Sequence, residues 1–243
     1  MLSVLIPVRN EYENLDEIER QFNLHFDNIN HEVILINDFS TDHTLLKIKE
    51  ISKKNNNFIF LDNNKMGLGG ALNLGIDKAV GTYICIMMAD LSDDINDLKK
   101  YYSLIRHKNL DAVFGSRFIK GSKILNYPKQ KYILNRIFNF FVSLIFFNRF
   151  NDFTNAFKIY KSSVLKSFLP LVSESFNIFL EMPLKIISRG YNFDIISINW
   201  TGRKKGEAKF NIKELRSKYL FTLIYCFIEK ILLNKKKNNV SKE

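Results

Sequence analysis

Five short apolar runs dominate the first half of the chain: LSVLIPV (2–8), EVILIND (32–38), FIFLD (58–62), TYICIMM (82–88) and DAVFGS (111–116). Between them lie stretches of helical pattern at 11–25, 41–54, 67–80 and 94–107. Continuous apolar runs of strand length, alternating with amphipathic helices, imply βαβ units and a mainly parallel sheet covered on both faces. Ligands of such a sheet bind outside the carboxyl ends of its strands. Polar residues stand at those ends: Asn10, Glu11, Asp38, Asp62, Asp90 and Arg117. The expected class is therefore α/β, a Rossmann-like sheet flanked by helices.

The second half reads differently. Residues 128–150 form a helix rich in Phe and Ile, with Lys129, Lys131, Arg136 and Arg149 among the apolar positions. After it come NDFTNAFKIY, a helix near 175–190, a turn at RGY, a strand FDIISINW, a basic loop TGRKKGEAKF and a last apolar-basic helix. The tail NKKKNNVSKE has the composition of a disordered segment. We expect one domain over 1–215, an amphipathic membrane-interface helix over 216–234 and a disordered basic tail over 235–243.

A net charge of +11 favours anionic partners. A nucleic-acid binder is disfavoured, because the aromatics do not interleave with the basic residues in any RNA-binding motif and an acidic strand end opposes it. Cys85 and Cys226 lie far apart in apolar surroundings and read as buried free thiols, the usual state in a reducing compartment. The four histidines show no metal-ligand spacing. No leader peptide is visible, and no run reaches the roughly 18 apolar residues of a membrane span.

The stretch MMADLSDD places Asp90 directly at a strand end, with Asp93 and Asp94 close behind. Hard carboxylate oxygens there suit Mg²⁺ or Mn²⁺, ions that commonly hold phosphates. Asp93 and Asp94 serve equally well as the acidic start of the next helix. GLGGALN, from Gly67, either offers backbone N–H groups to a phosphate or makes a tight strand–helix turn. It is neither a P-loop nor a dinucleotide fingerprint.

IPVRNEYENL, INDFSTDHT, GLGGALNLGI, MMADLSDD, FGSRFIKG, DFTNAFKIY, FLEMPLKIISRGY and WTGRKKGEAKF occur in this order. Over residues 1–215 the chain resembles the family 2 glycosyltransferases of GT-A fold, within them the dolichyl-phosphate mannose synthase and polyprenyl-phosphate glycosyltransferase group. The resemblance implies an inverting transfer of a sugar from a GDP- or UDP-sugar to a polyprenyl phosphate at the cytoplasmic face of a membrane. Saccharide hydroxyls in surface-polysaccharide assembly are the alternative acceptors, and a homo-oligomer is left open.

It also implies site roles. Pro7, Arg9, Glu11, Asp38 and Gly67 would bind the nucleotide. Asn37 stands where the family usually has the first of two aspartates. Asp90, Ser92 and Asp93 would hold Mg²⁺ or Mn²⁺, although Met88 occupies the first aspartate position of the Asp-x-Asp motif. Arg117, Lys131, Asn135 and Arg136 would bind the acceptor phosphate, Lys131 standing at a usual arginine position. Glu181 would lie near the transferred sugar. Arg203 and Lys209 would close over the diphosphate. Asp90, Arg117, Glu181 and Arg203 are the expected catalytic residues. The helices at 131–150 and 215–233 suit a membrane interface, and 131–150 suits core packing equally well.

Overall fold

The structure is a computed structural model. It describes residues 1–203 and 212–240; the side chains of 212–216 and 234–240 lie outside the description. The expected strands form as β1 (Leu2–Val8), β2 (His31–Asn37), β3 (Phe58–Asp62), β4 (Tyr83–Ile86) and β5 (Ala112–Ser116). Between them run α1 (Tyr12–His25), α2 (Thr44–Lys54), α3 (Leu68–Lys78) and α4 (Ile95–His107). Then follow β6 (Lys123–Leu125), α5 (Lys129–Ile145), β7 (Lys158–Lys161), α6 (Ser162–Lys166), α7 (Ile178–Arg189), β8 (Phe193–Ser197), β9 (Asn199–Thr201) and α8 (Ile212–Val240).

The main sheet has the order β3-β2-β1-β4-β7-β5-β8. All neighbours are parallel except β7, which runs antiparallel between β4 and β5. β1 and β2 are buried along their whole length, as an interior parallel strand with helices on both faces must be. One apolar cluster, including Leu5, Ile34, Ile36, Leu72 and Phe114, packs against α3, α6 and α7. The other, including Val4, Ile6, Leu15, Ile18 and Leu98, lies under α1, α2 and α4. The inserted β7 carries Lys158 at its start, level with Ile86 of β4 and Phe114 of β5. That register brings a lysine to the ligand end of the sheet.

Two expectations change here. The run FDIISINW is two strands: β8 joins the main sheet, while β9 pairs with β6 in a separate two-stranded sheet. The C-terminal helix runs from Ile212 to Val240, so the boundaries expected at 216 and 235 fall inside one helix. That correction to the disordered tail reaches Val240; residues 241–243 lie outside the described residues.

α8 is tied to α7 by Lys185, whose Nζ donates to Tyr225 Oη and Glu229 Oε2, and by Arg189, whose Nε donates to Glu229 Oε1 at 2.7 Å. On its other side it meets α5 through Phe138 with Tyr219 and Phe146 with Phe227. No helix among the described residues is long and apolar enough to cross a membrane.

Candidate active site

At the carboxyl end of the sheet lies a cleft of about 1000 Å³. Its first wall comes from the loops after β1 and β2. Asn10 takes a left-handed backbone (φ 53°) and cross-links the two loops: its Nδ2 donates to Thr41 Oγ1, and its Oδ1 accepts from Thr41 N. Pro7, Arg9, Glu11 and Asp38 thereby line the cleft together. Asn37 turns to Asp62 instead, donating to its Oδ1 at 2.7 Å.

Asp38 is buried and committed. Its Oδ1 accepts from Asn63 Nδ2 and from the backbone N–H of Gly67, each at 2.8 Å. The N–H of Gly69 goes to the carbonyl of Glu174 at 3.0 Å, and a Cβ on Gly69 would lie 2.1 Å from the carbonyl of Ser173. Gly67 adopts φ 111°, which an L side chain rarely takes. These glycines therefore make a tight turn under close packing. The N–H groups of Gly67 and Gly69 are spent on protein acceptors.

The strand end after β4 supplies Met88, Ala89, Asp90, Ser92 and Asp93 to the cleft. Asp90 Oδ1 accepts from Ser92 N at 3.1 Å, and its Oδ2 accepts from Arg203 Nη2 at 3.1 Å. Arg203 Nη1 also lies 3.6 Å from Glu11 Oε1. Asp94 is the N-cap of α4, accepting from Asn96 N, so of its two readings the helix start is correct. Asp93 is buried; loss of water, then the neighbouring Asp90 charge, push its carboxyl up to about 7. Asp93 Oδ2 has no hydrogen-bond partner and no contact with solvent.

An ion bridging protein to phosphate at this place needs several hard oxygen donors. Here Asp90 already has both oxygens accepting, and the nearby Glu11 carboxylate faces Arg203. Met88 brings a soft thioether, and the orphaned Asp93 oxygen is sealed below. Among the described residues no group of three or more His, Cys, Asp or Glu could hold a metal. The expected ligand set Asp90, Ser92 and Asp93 does not fit a divalent ion held by the protein.

The opposite wall begins after β5. Arg117 is buried and forms a fork with Asp152: Nε donates to Oδ2 at 2.8 Å and Nη2 to Oδ1 at 2.7 Å. The rings of Phe118, Tyr127 and Trp200 surround its guanidinium at 5.3–5.7 Å. Burial works against this charge, and the Asp152 carboxylate outweighs it, raising the arginine above its ordinary value. Lys131, at the first turns of α5, lines the cleft beside Arg117. Desolvation, then the Arg117 and Arg203 cations, hold its amine below the ordinary lysine value. Asn135 lines the cleft too, but its amide donates to Tyr127 Oη and Thr154 Oγ1.

Two expected residues stand elsewhere. Arg136 lies over the Phe118 ring at 4.7 Å, outside the cleft lining. Glu181 is wholly buried in α7, where its oxygens accept the N–H groups of Val172 and Ser173 at 3.1 and 2.8 Å. Its carboxylate is spent on a loop backbone and is not among the residues lining the cleft. Lys209 lies outside the described residues.

Sequence reading had no role for Asp152, Tyr127 or Lys158. Asp152 opens the stretch DFTNAF, whose acidic residue could have signalled a partner for Arg117. Lys158 had no signal, because nothing in its neighbourhood announces an antiparallel strand inserted between β4 and β5. Its ammonium donates to the carbonyls of Phe153 and Asn155. Burial, offset by Asp152, brings it down to about 7.

Beyond Lys131 the cleft changes character. Leu134 and Phe138 of α5, Phe176 and Phe179 near α7, and Leu220 and Leu223 of α8 continue its lining. One cavity thus joins a polar, charged end to an apolar gap between two helices.

Comparison with known proteins fits this geometry. The model of the family described as glycosyl transferase family 2 matches residues 3–169. The chain is 30% identical over 135 residues to a dolichol-phosphate mannosyltransferase of Pyrococcus furiosus, covering 56% of this chain and 38% of the relative. It is 24% identical over 220 residues to a polyprenol monophosphomannose synthase of Mycolicibacterium smegmatis, covering 88% and 82%. It is 27% identical over 170 residues to a dodecaprenyl-phosphate galacturonate synthase of Rhizobium johnstonii, covering 68% and 49%. Two of these three relatives are thus matched over less than half their length.

Among solved structures, glucosyl-3-phosphoglycerate synthase of Mycobacterium tuberculosis superposes with a TM-score of 0.67 at 13% identity, over 93% of this chain and 79% of that one. Crystals of that enzyme contain Mn²⁺ or Mg²⁺ together with uridine diphosphate. A second mycobacterial structure gives 0.71 at 13% identity, over 93% and 74%. Sheet order, cleft and family match agree: the chain belongs to glycosyl transferase family 2 and has the GT-A fold.

Proposed function

We propose that the protein transfers a sugar from a nucleoside diphosphate donor to a polyprenyl phosphate lying at a membrane surface. The observation that carries this reading is the single cavity that runs from Asp38 and Asp90 past Lys131 into the apolar gap between α5 and α8. A nucleotide-sugar needs the first part only. An acceptor with an anionic head and a hydrocarbon tail needs the second.

In this reading the nucleotide lies against Pro7, Arg9, Glu11 and Asp38, and its diphosphate meets Arg203, which Asp90 and Glu11 hold in place. The acceptor phosphate approaches Lys131, with the Arg117–Asp152 fork forming the rigid floor beneath it. A phosphate oxygen attacks the anomeric carbon as the bond from that carbon to the diphosphate breaks, inverting the configuration. The nucleoside diphosphate leaves with the bonding electron pair. A phosphate oxygen is already ionised at neutral pH, so the step needs no general base, in keeping with the burial of Glu181. Cations fixed around the departing diphosphate stabilise the charge that develops there. The Mn²⁺ and Mg²⁺ of the matched crystals suggest a divalent ion, but the donor set at Asp90 does not fit one, so no step here passes through a metal.

The membrane part rests on the outer faces of α5 and α8. Ile133, Ile137, Phe140, Phe141 and Leu144 on one helix, and Phe221, Ile224, Ile228, Ile231 and Leu232 on the other, are exposed. Lys129 and Lys218 sit close to the ends of these stripes. An apolar stripe rimmed by cations suits a peripheral position on an anionic leaflet, such as the cytoplasmic face.

The test is transfer itself. The protein would be incubated with a panel of UDP- and GDP-sugars and a polyprenyl phosphate, and the lipid product read by mass spectrometry. Formation of a polyprenyl-phosphate sugar is expected. Product appearing only on saccharide hydroxyls would replace the lipid acceptor with the polysaccharide alternative.

A further inference from the structure

We infer that the guanidinium of Arg203 takes, in this chain, the place of a divalent ion between Asp90, Glu11 and the donor diphosphate. Nucleoside diphosphate binding then needs no divalent metal. The inference rests on the glycosyl-transfer reading above and concerns how the donor end of the cleft is held.

The local charge balance points this way. Two carboxylates and a divalent ion at a strand end sum to zero. This strand end has one aspartate fewer, because Met88 faces the cleft where a second acid would stand. Replacing that acid by a thioether removes one negative charge, and replacing a divalent ion by one guanidinium removes one positive charge. Leaving aside Glu11 and the buried Asp93, Asp90 with Arg203 sums to zero as well, with Nη2 donating to Oδ2 at 3.1 Å. The thioether is also too soft a donor to attract Mg²⁺.

Arg203 is held at its root. Trp200 of β9 makes a bridge with Asp93, and Thr201 N donates to Ser92 O at 3.0 Å. Gly202 N donates to Leu125 O at 2.9 Å, and a Cβ at Gly202 would lie 2.5 Å from the carbonyl of Asn126. The backbone just before Arg203 is thus pressed against both the acidic strand end and the β6 turn. A guanidinium presents a planar fork of five N–H donors. With Nη1 toward Glu11 and Nη2 toward Asp90, it stands as a bridge between those acids and phosphate oxygens arriving from the cleft. A divalent ion would fill the same bridging role with its coordination sites.

The experiment is calorimetric titration of GDP and UDP into the whole protein, in EDTA and in excess Mg²⁺ or Mn²⁺. One of the two nucleotides is expected to bind with a dissociation constant that changes by less than about threefold between these buffers. Arg203→Ala should weaken that binding about ten- to a hundredfold in EDTA, the loss of a charge-assisted contact, at an unchanged melting temperature. Met88→Asp, which adds back a carboxylate, should weaken binding in EDTA and recover it in Mn²⁺. Wild-type binding that collapses in EDTA and returns with Mg²⁺ or Mn²⁺ would overturn the inference and leave the glycosyl-transfer reading standing. Failure of both nucleotides to bind in every buffer would overturn both.

Discussion

At the end of the cleft proposed for the donor, β1, β2 and β4 are sealed between two helix layers and release a few polar side chains each where they stop. At the acceptor end, α5 and α8 line the cleft with one face and leave another bare, Phe147 just beyond α5 being 87% exposed. The donor end is therefore specified by strand register. A one-residue slip would turn every buried residue of a strand over. The other end, proposed for the acceptor, is marked by what it fails to bury.

The hardest test of this contrast is at the donor end. Asp90→Asn keeps the size of the side chain and removes the charge that engages Arg203. By releasing Arg203 it should lower kcat/KM about 10²–10³-fold, the usual scale for losing one charge-stabilising donor in a transition state. The melting temperature should hold, because Asp90 lies at the cleft surface and not in the core. A variant retaining a third of the wild-type rate would show that Asp90 does not position Arg203 for the donor diphosphate.

The two ends also differed in how far the sequence revealed them. Five strands and four helices of the first half could be read from apolar runs, because burial on both faces leaves an unambiguous pattern in each strand. Asp90, Asp38 and Glu11 followed from their place after those runs. β6 and β7 were missed and β9 was merged with β8: they are three or four residues long, and unlike the four-residue β4 they do not sit in a continuous apolar run. With β7 went Lys158 and the Arg117–Asp152 fork, a contact between residues 35 apart in the chain. Glu181 was misplaced for a related reason. Its position in an apolar helix is visible in sequence, but the loop whose N–H groups it accepts is not.

The floor under the acceptor end gives a second test, in stability. Lys158 sits at about 7 in the folded protein against an ordinary 10.5. Between those values the unfolded chain binds more protons, so stability should rise with pH from 7 toward 10, by up to about 1.4 kcal/mol per pH unit. Asp93 slopes the other way, between 3.8 and about 7. There the folded state holds the extra proton, and stability falls as pH rises. Lys158→Met should flatten the alkaline rise and leave the acid side in place. Urea midpoints at pH 7, 8 and 9 would read this, and identical profiles for both proteins would remove Lys158 from the account. Arg117→Ala is a poor probe here, since it strands the buried Asp152 charge at a cost of roughly 3–5 kcal/mol.

The bare helix faces give a third. Phe140→Asp with Leu144→Asp changes two exposed positions of α5, so folding should be unaffected. Each buried side chain of this size is worth about 1.5–3 kcal/mol on leaving water, and partial immersion should reduce that. Partitioning onto vesicles containing anionic lipid should fall about ten- to a hundredfold, with nucleotide binding unchanged. Undiminished partitioning would mean that α5 is not the membrane face.

Lys131 stands where the two ends meet, and the smallest effect should be the most informative. It lies at the cleft wall between Arg117 and the apolar gap, and crowding plus two neighbouring cations make its proton easier to lose than that of an ordinary lysine. A doubly charged phosphate placed against it would reverse that bias. Lys131→Ala should raise the acceptor KM about three- to tenfold, less than a full charge-assisted bond of roughly 1.5–3 kcal/mol, and leave the donor KM alone. The pH profile separates charge from packing. An amine with a depressed value is charged at low pH and loses its charge earlier on the alkaline side. Acceptor kcat/KM should therefore fall with rising pH in the wild type, at a lower pH than an unperturbed lysine would give. Lys131→Arg cannot lose its proton in that range, so its profile should stay flat. If Lys131→Ala raises the donor KM instead, Lys131 belongs to the nucleotide half, and the boundary between the two ends moves outward to Leu134 and Phe138.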